Sequence, residues 1–178
     1  MQQRTLAFIG AGNMSRSIIA GLIQAGYPAE RIIAANPSRP KLDELASQFG
    51  TQDNTEAARE AEVIVLAVKP QLMAGMLTTL VAELGSLDGK LLISIAAGIR
   101  VARLQEMAGG HERIIRTMPN TPSLLGLGMT GLYAPPAIGQ ADRAVAEQMM
   151  QSVGKTLWVD EEAGINGVIA AAGSAPAY

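Results

Sequence analysis

An α/β fold, a Rossmann-type doubly wound and mostly parallel sheet with helices on both faces, is predicted by three observations. Short apolar runs of strand length alternate with segments whose apolar residues recur at helical spacing. One run, residues 63–68, is apolar at every position, as a parallel strand buried on both faces requires. The first run ends in Gly10-Ala11-Gly12 and passes directly into a helical pattern, the junction with which a dinucleotide-binding βαβ unit begins.

The elements follow in order. Residues 6–9 form the first buried strand, and Ile18, Ile19, Leu22 and Ile23 share one face of a helix over 15–25 that Gly26 ends. Residues 32–35 form a second strand. Leu42, Leu45 and Phe49 line one side of a helix over 40–49, stopped by Gly50, and 51–52 form a short edge strand. Strand 63–68, helix 72–84, strand 91–95, helix 101–107 and strand 114–117 continue the alternation. Residues 129–133, a helix over 140–152 and residues 156–159 complete one domain near Asp160. Residues 1–160 are therefore read as a dinucleotide-binding unit, and 161–178, opened by Glu161 and Glu162 as a helix N-terminus is, as a helical segment beyond it.

Composition narrows the functions. The chain has 178 residues, and its 14 Lys and Arg against 16 Asp and Glu leave a net charge of −2. That lacks the basic excess of a phosphate-backbone binder, so no nucleic-acid partner is expected. Without cysteine there is no disulfide, thiolate metal site or cysteine nucleophile, and with one histidine no metal site is expected. No apolar stretch reaches membrane-spanning length and the first residues carry no secretory pattern, so no membrane partner and a cytoplasmic location are expected.

In an open parallel sheet the ligand lies beyond the carboxyl ends of the strands. Unusual sequence gathers there: Pro37, Pro70, Pro119 and Pro122 stiffen the loops, with Asn, Ser, Thr, Lys and Arg among them. Gly10 permits a tight turn, and Gly12 lets the backbone approach a pyrophosphate at the positive end of the following helix. Ser15 stands where a third glycine is usual and is small enough to keep helix and strand close. A glycine pair also occurs in ordinary strand-to-helix turns. At the end of the second strand, where NAD-specific folds carry a carboxylate for the ribose, stands Asn36. With Ser38 and Arg39 it offers neutral and positive donors, favouring NADPH with NADH as the lesser cofactor, although Arg39 equally suits a solvated surface.

Four segments carry a resemblance to a known family: Phe8-Ile-Gly-Ala-Gly-Asn-Met14, Ala67-Val-Lys-Pro70, Ser94-Ile-Ala-Ala-Gly98 and Arg116-Thr-Met-Pro-Asn-Thr-Pro122. In order and spacing they resemble pyrroline-5-carboxylate reductase, and the closing Gly173-Ser-Ala-Pro-Ala-Tyr178 is similar to that family's Gly-Ser-Gly-Pro-Ala-Tyr with Ala175 in place of glycine. The resemblance implies reduction of 1-pyrroline-5-carboxylate to L-proline with NAD(P)H, and a second, helical domain that makes the protein a homo-oligomer. It implies cofactor contacts at Ile9, Gly10, Ala11, Gly12, Asn13, Met14, Asn36, Ser38, Asn54, Ala67, Val68, Lys69, Pro70, Ile95, Ala96 and Ala97. It also implies substrate contacts at Met118, Asn120 and Ser174. Other readings stand beside these: Asn54 as the cap of a short helix, Lys69 as a solvated strand-end lysine, the small residues at 96–98 as a tight turn, and 118–122 as a stiff connection.

No side chain stands out as a catalytic acid. Hydride addition to a protonated imine needs positioning more than proton transfer, which fits. His111 precedes its strand, at the edge opposite the crevice, as a surface residue. The nearly all-apolar 165–172 would be a sticky surface by itself, so a shortened form is expected, beside packing on a partner chain or a last helix folded back on its own sheet; because the resemblance implies an imine held against helices of the second domain, little or no reductase activity is expected of the chain alone. A related NADP-linked hydroxy-acid dehydrogenase and a non-catalytic NADPH-binding module are the alternatives.

Overall fold

The computed structural model describes residues 4–10, 13–35, 49–51, 54–96, 98–119, 128–162 and 164–165. Strand β1 (Leu6–Ile9) leads into helix α1 (Asn13–Gln24), and a 3-10 turn (Ala29–Arg31) leads into β2 (Ile32–Ala35). There follow β3 (Phe49–Thr51), α2 (Asn54–Glu60), β4 (Val63–Leu66), α3 (Pro70–Leu84), β5 (Leu91–Ser94) and α4 (Val101–Met107). The last elements are β6 (Ile114–Pro119), β7 (Gly128–Tyr133), α5 (Gln140–Gln151) and β8 (Gly154–Trp158).

The strands join in one sheet of order β3-β2-β1-β4-β5-β6-β7-β8. The central β1 pairs in parallel with β2 and β4, placing Ile9 level with Ala35 and Leu66. The run from β3 to β6 is parallel, β7 is antiparallel to β6, and β8 runs with β7. The predicted doubly wound architecture is therefore present. Its chain reverses direction of growth between β1 and β4, the switch point beyond whose carboxyl ends sheets of this kind bind their ligands.

Alternation along each strand divides the core into two layers. Leu6 and Phe8 pack with Ile18, Ile19 and Leu22 of α1 and with Val145, Ala146, Met149 and Met150 of α5. Ala7 and Ile9 face the other way, onto Ala57 and Ala58 of α2, Met73 and Leu77 of α3, and Val101 and Leu104 of α4. Because both faces are covered, β1, β2, β4 and β5 are buried at every position. The two helices of the first layer meet at Gly21, where an added Cβ would stand 2.6 Å from the Ser152 carbonyl oxygen.

Several boundaries differ from the sequence expectation. Phe49 and Gly50 are strand, paired with Ile33 and Ala34, where a helix end was expected; the rest of the expected 40–49 helix lies outside the described residues. β4 stops at Leu66 rather than 68, and α3 starts at Pro70 rather than 72, because a proline at the first helical position loses no hydrogen bond. β5 stops one residue early, at Ser94. β6 runs two residues beyond 117 because Met118 and Pro119 pair with Gly131 and Thr130. β8 begins at Gly154 rather than 156 and ends at Trp158. Of the apolar segment 165–172 only Ile165 is described, and it is buried.

At the amino ends of the strands Asp142 of α5 joins two approaches to the sheet. It bonds Arg4, ahead of β1, at 2.8 Å, and Arg113, ahead of β6, at 2.9 Å. Burial raises the Asp142 carboxyl, but the hydrogen bonds and charges of Arg113 and Arg4 outweigh it and hold the group below its ordinary value. A depressed carboxylate adds stability above its unfolded value, near ~3.9, and loses it as pH falls through the folded value. Asp142→Asn should therefore be less stable than the parent at pH 7, with the difference shrinking steadily below about pH 4 in urea titrations. A difference independent of pH would show that the two arginines do not act through the carboxylate's charge.

Candidate functional site

The exits of β1, β4 and β5 are tied at one level. The Gly10 N–H donates to the Ala35 carbonyl at 2.8 Å, the Ala67 N–H to Ile9 at 2.9 Å and the Ile95 N–H to Leu66 at 3.1 Å. Gly10 turns out of β1 at φ +105°, in the region that favours glycine. A Cβ there would lie 2.8 Å from the Ala67 carbonyl oxygen, so the β1 and β4 exits are in backbone contact. Ser15 is buried and its hydroxyl donates to the Gly10 carbonyl at 2.7 Å. The residue in the third-glycine position thus also pins the turn to the first turn of α1.

Around this turn stand most of the described candidates. Asn13 opens α1 and Met14 packs half-buried on the first core layer. Asn54 opens α2, and its buried Oδ1 accepts no hydrogen bond. The capping reading is thereby excluded, since a cap would spend that oxygen on a helix N–H. At the β4 exit Ala67 and Val68 are half-buried, Lys69 is exposed, and Pro70 begins α3. At the β5 exit Ile95 is half-buried and Ala96 buried, its N–H donating to Ser94 Oγ at 3.2 Å. Met118 lies near the end of β6 and is half-buried. Ala11, Gly12, Asn36, Ser38, Arg39, Ala97, Asn120 and Ser174 lie outside the described residues.

Arg116 belongs to the fourth motif but is not among the site residues that the resemblance implies; in the structure it is buried in β6 and its Nη1 donates to Glu162 Oε2 at 3.1 Å. That same oxygen accepts the N–H of Val101, at the start of α4, at 2.7 Å. A cation inside an otherwise apolar strand was the available clue. His111 stands at the far edge, its Nε2 2.8 Å from the carbonyl of Lys90, just ahead of β5. Among the described residues no group of three or more acidic, histidine or cysteine side chains could hold a metal ion. No described helix is long and apolar enough to cross a membrane.

A family model described as NADP oxidoreductase, coenzyme F420-dependent, matches residues 5–98, a little over half of the chain. The chain belongs to this NADP oxidoreductase family. The matched region runs from the start of β1 past the β5 exit, and so contains the Gly10 turn, Asn54 and the β4 exit. Within the family's range of proteins, this member is 52% identical over its whole length to a pyrroline-5-carboxylate reductase of Vibrio alginolyticus. Among solved structures it resembles a pyrroline-5-carboxylate reductase of Coxiella burnetii, with a TM-score of 0.92 and 38% identity over 99% of this chain and 66% of that one. The Plasmodium falciparum pyrroline carboxylate reductase, solved with NADP bound, aligns with a TM-score of 0.82 and 29% identity over 100% of this chain and 65% of that one. The chain spans 66% of the length of the curated relatives it matches first.

Proposed function

We propose that the chain supplies the dinucleotide-binding part of a reduction of 1-pyrroline-5-carboxylate to L-proline, using NADPH in preference to NADH. The single observation that carries this reading is 52% identity, without loss of any part of the chain, to a reductase of that imine. The crevice fits a dinucleotide on its own evidence. The Gly10 turn leaves no room for a side chain at the switch point, and Asn54 holds an acceptor that the fold leaves unused. An unpaired buried acceptor costs about 1–3 kcal/mol, which a ligand hydroxyl or amino group would recover.

In this reading residues 1–160 form the cofactor unit and a helical unit begins at 161. Ile9, Gly10, Ala11, Gly12, Asn13 and Met14 line the pyrophosphate, which the free backbone N–H groups at the start of α1 hold. Asn36, Ser38 and Arg39 meet the 2′-phosphate, and Asn54 accepts from the adenosine half. Ala67, Val68, Lys69, Pro70, Ile95, Ala96 and Ala97 line the path to the nicotinamide. Met118 and Asn120 face the imine, and Ser174 its carboxylate. When bound, the reduced cofactor supplies hydride to the imine carbon. The protonated imine becomes a neutral amine, so the side chains orient the substrate and exclude water rather than deliver a proton.

Arg39→Ala should weaken NADPH by about 10- to 150-fold, the equivalent of about 1.5–3 kcal/mol for one charge-assisted bond, and leave NADH nearly unchanged. Calorimetric titration with both cofactors decides this, and equal losses would remove Arg39 from the 2′-phosphate. The reading as a whole is tested by replacing the matching two thirds of the Vibrio alginolyticus reductase with this chain and assaying NADPH oxidation. Turnover of 1-pyrroline-5-carboxylate, abolished by Gly12→Val, is the expected result. Turnover of hydroxy-acid pairs instead, or NADPH binding with no turnover of the imine, would overturn it.

A further inference from the structure

Arg116 has 4% side-chain exposure, and its Nε is buried with no hydrogen-bond partner. Its partner Glu162 keeps 20% exposure. A buried ion pair contributes little stability beyond an apolar pair of the same shape, and an orphaned N–H adds a cost. What the pair does provide is direction, because one carboxylate oxygen fixes two donors from different elements. Those donors are well placed to matter. Arg116 sits just ahead of Met118 on β6, level with Ser94 at the end of β5. Val101 closes the segment that leaves β5 through Ile95 and Ala96. A second bond holds the same two strands together, from Thr117 Oγ1 to the Ser94 carbonyl at 2.9 Å. Glu162 itself belongs to the stretch that follows β8. One oxygen therefore fixes the start of α4, the middle of β6 and the chain beyond β8 against one another.

We propose that Arg116 and Glu162 are positioning residues that set how Ile95 and Ala96, just beyond β5, stand against Met118 of β6, and through them the placement of the nicotinamide ring, while leaving affinity for the dinucleotide as a whole largely unchanged. The proposal rests on the cofactor reading above. It concerns the nicotinamide end alone, because the Gly10 turn and Asn54 lie on the other side of the switch point and touch neither residue.

The test uses the purified chain with NADPH. Replacing both partners in an R116M/E162Q variant leaves no lone buried charge, and the glutamine retains an oxygen for the Val101 N–H. This variant should unfold close to the parent, bind NADPH within about threefold of it, and lose most of the emission shift of the bound reduced nicotinamide. R116K keeps the charge facing Glu162, and should fold and recover part of that shift. It serves as the readout should the double variant fail to fold, where an emission shift equal to the parent's would overturn the proposal. Unchanged emission at saturating NADPH in the double variant would show the pair to be purely structural. An affinity loss as large as the spectral loss would also overturn the proposal, since the pair would then act on the whole site. If the parent chain fails to bind NADPH at all, the cofactor reading falls and this inference with it; the other adverse outcomes overturn this inference alone.

Discussion

Gly10→Ala is expected to lower the unfolding free energy by about 2–6 kcal/mol, as the sum of two separate costs. A residue with a Cβ held at φ +105° is strained by about 1–3 kcal/mol. The same Cβ would stand 2.8 Å from the carbonyl oxygen of Ala67 and 2.9 Å from its carbon. Both are backbone atoms in the middle of a sheet and cannot swing aside, so β1 and β4 must part at their exits. Relieving that overlap costs a further ~1–3 kcal/mol. The Gly10 N–H also bonds Ala35, so the displacement carries to β2. Urea denaturation of the two proteins checks the figure, and a loss under ~1 kcal/mol would mean that the exits are not in contact. NADPH affinity should fall with stability, because the displaced exits form the wall of the proposed crevice.

Glu162→Ala should cost about 3–5 kcal/mol, the penalty for leaving a buried charge alone. Arg116 would keep its charge with little access to water, the Val101 N–H would lose its acceptor, and Nε would remain unpaired. Arg116→Met should cost far less, about 1–2 kcal/mol, because Glu162 is partly in water and still accepts from Val101. The asymmetry identifies the mechanism. Equal losses in thermal or urea unfolding would place water at Arg116 and refute its burial.

Much of the framework was legible because burial on both faces writes itself as unbroken apolar runs. Residues 63–68 read as an interior strand, of which 63–66 are one, and Gly10 could be found from the break in such a run. The pairing of particular strands and residues was not legible. Phe49 continued the spacing of Leu42 and Leu45 and so extended a helix on paper, whereas its pairing with Ile33 makes it strand. β6 appeared to stop at Thr117 because nothing local announces the antiparallel partner that carries it to Pro119. Asn54 fitted a helix cap on paper, and only its unused oxygen speaks against one. Arg116 looked like part of a motif. Its partner stands 46 residues further on, a separation that no periodicity spans.

The central position of β1 also governs how the sheet can assemble while the chain is being made. Read in order of synthesis, β2 adds to one side of β1, β3 to the outside of β2, and β4 to the remaining side of β1. β5, β6, β7 and β8 then each add to the strand made just before. Every new strand meets a free edge, and none has to be wedged between two that are already paired. The β1–β4 junction is complete once Leu66 has emerged from the ribosome, well before most of the chain exists. A polypeptide that leaves the ribosome amino end first can therefore build its crevice early and extend the sheet outward from it without undoing any earlier pairing.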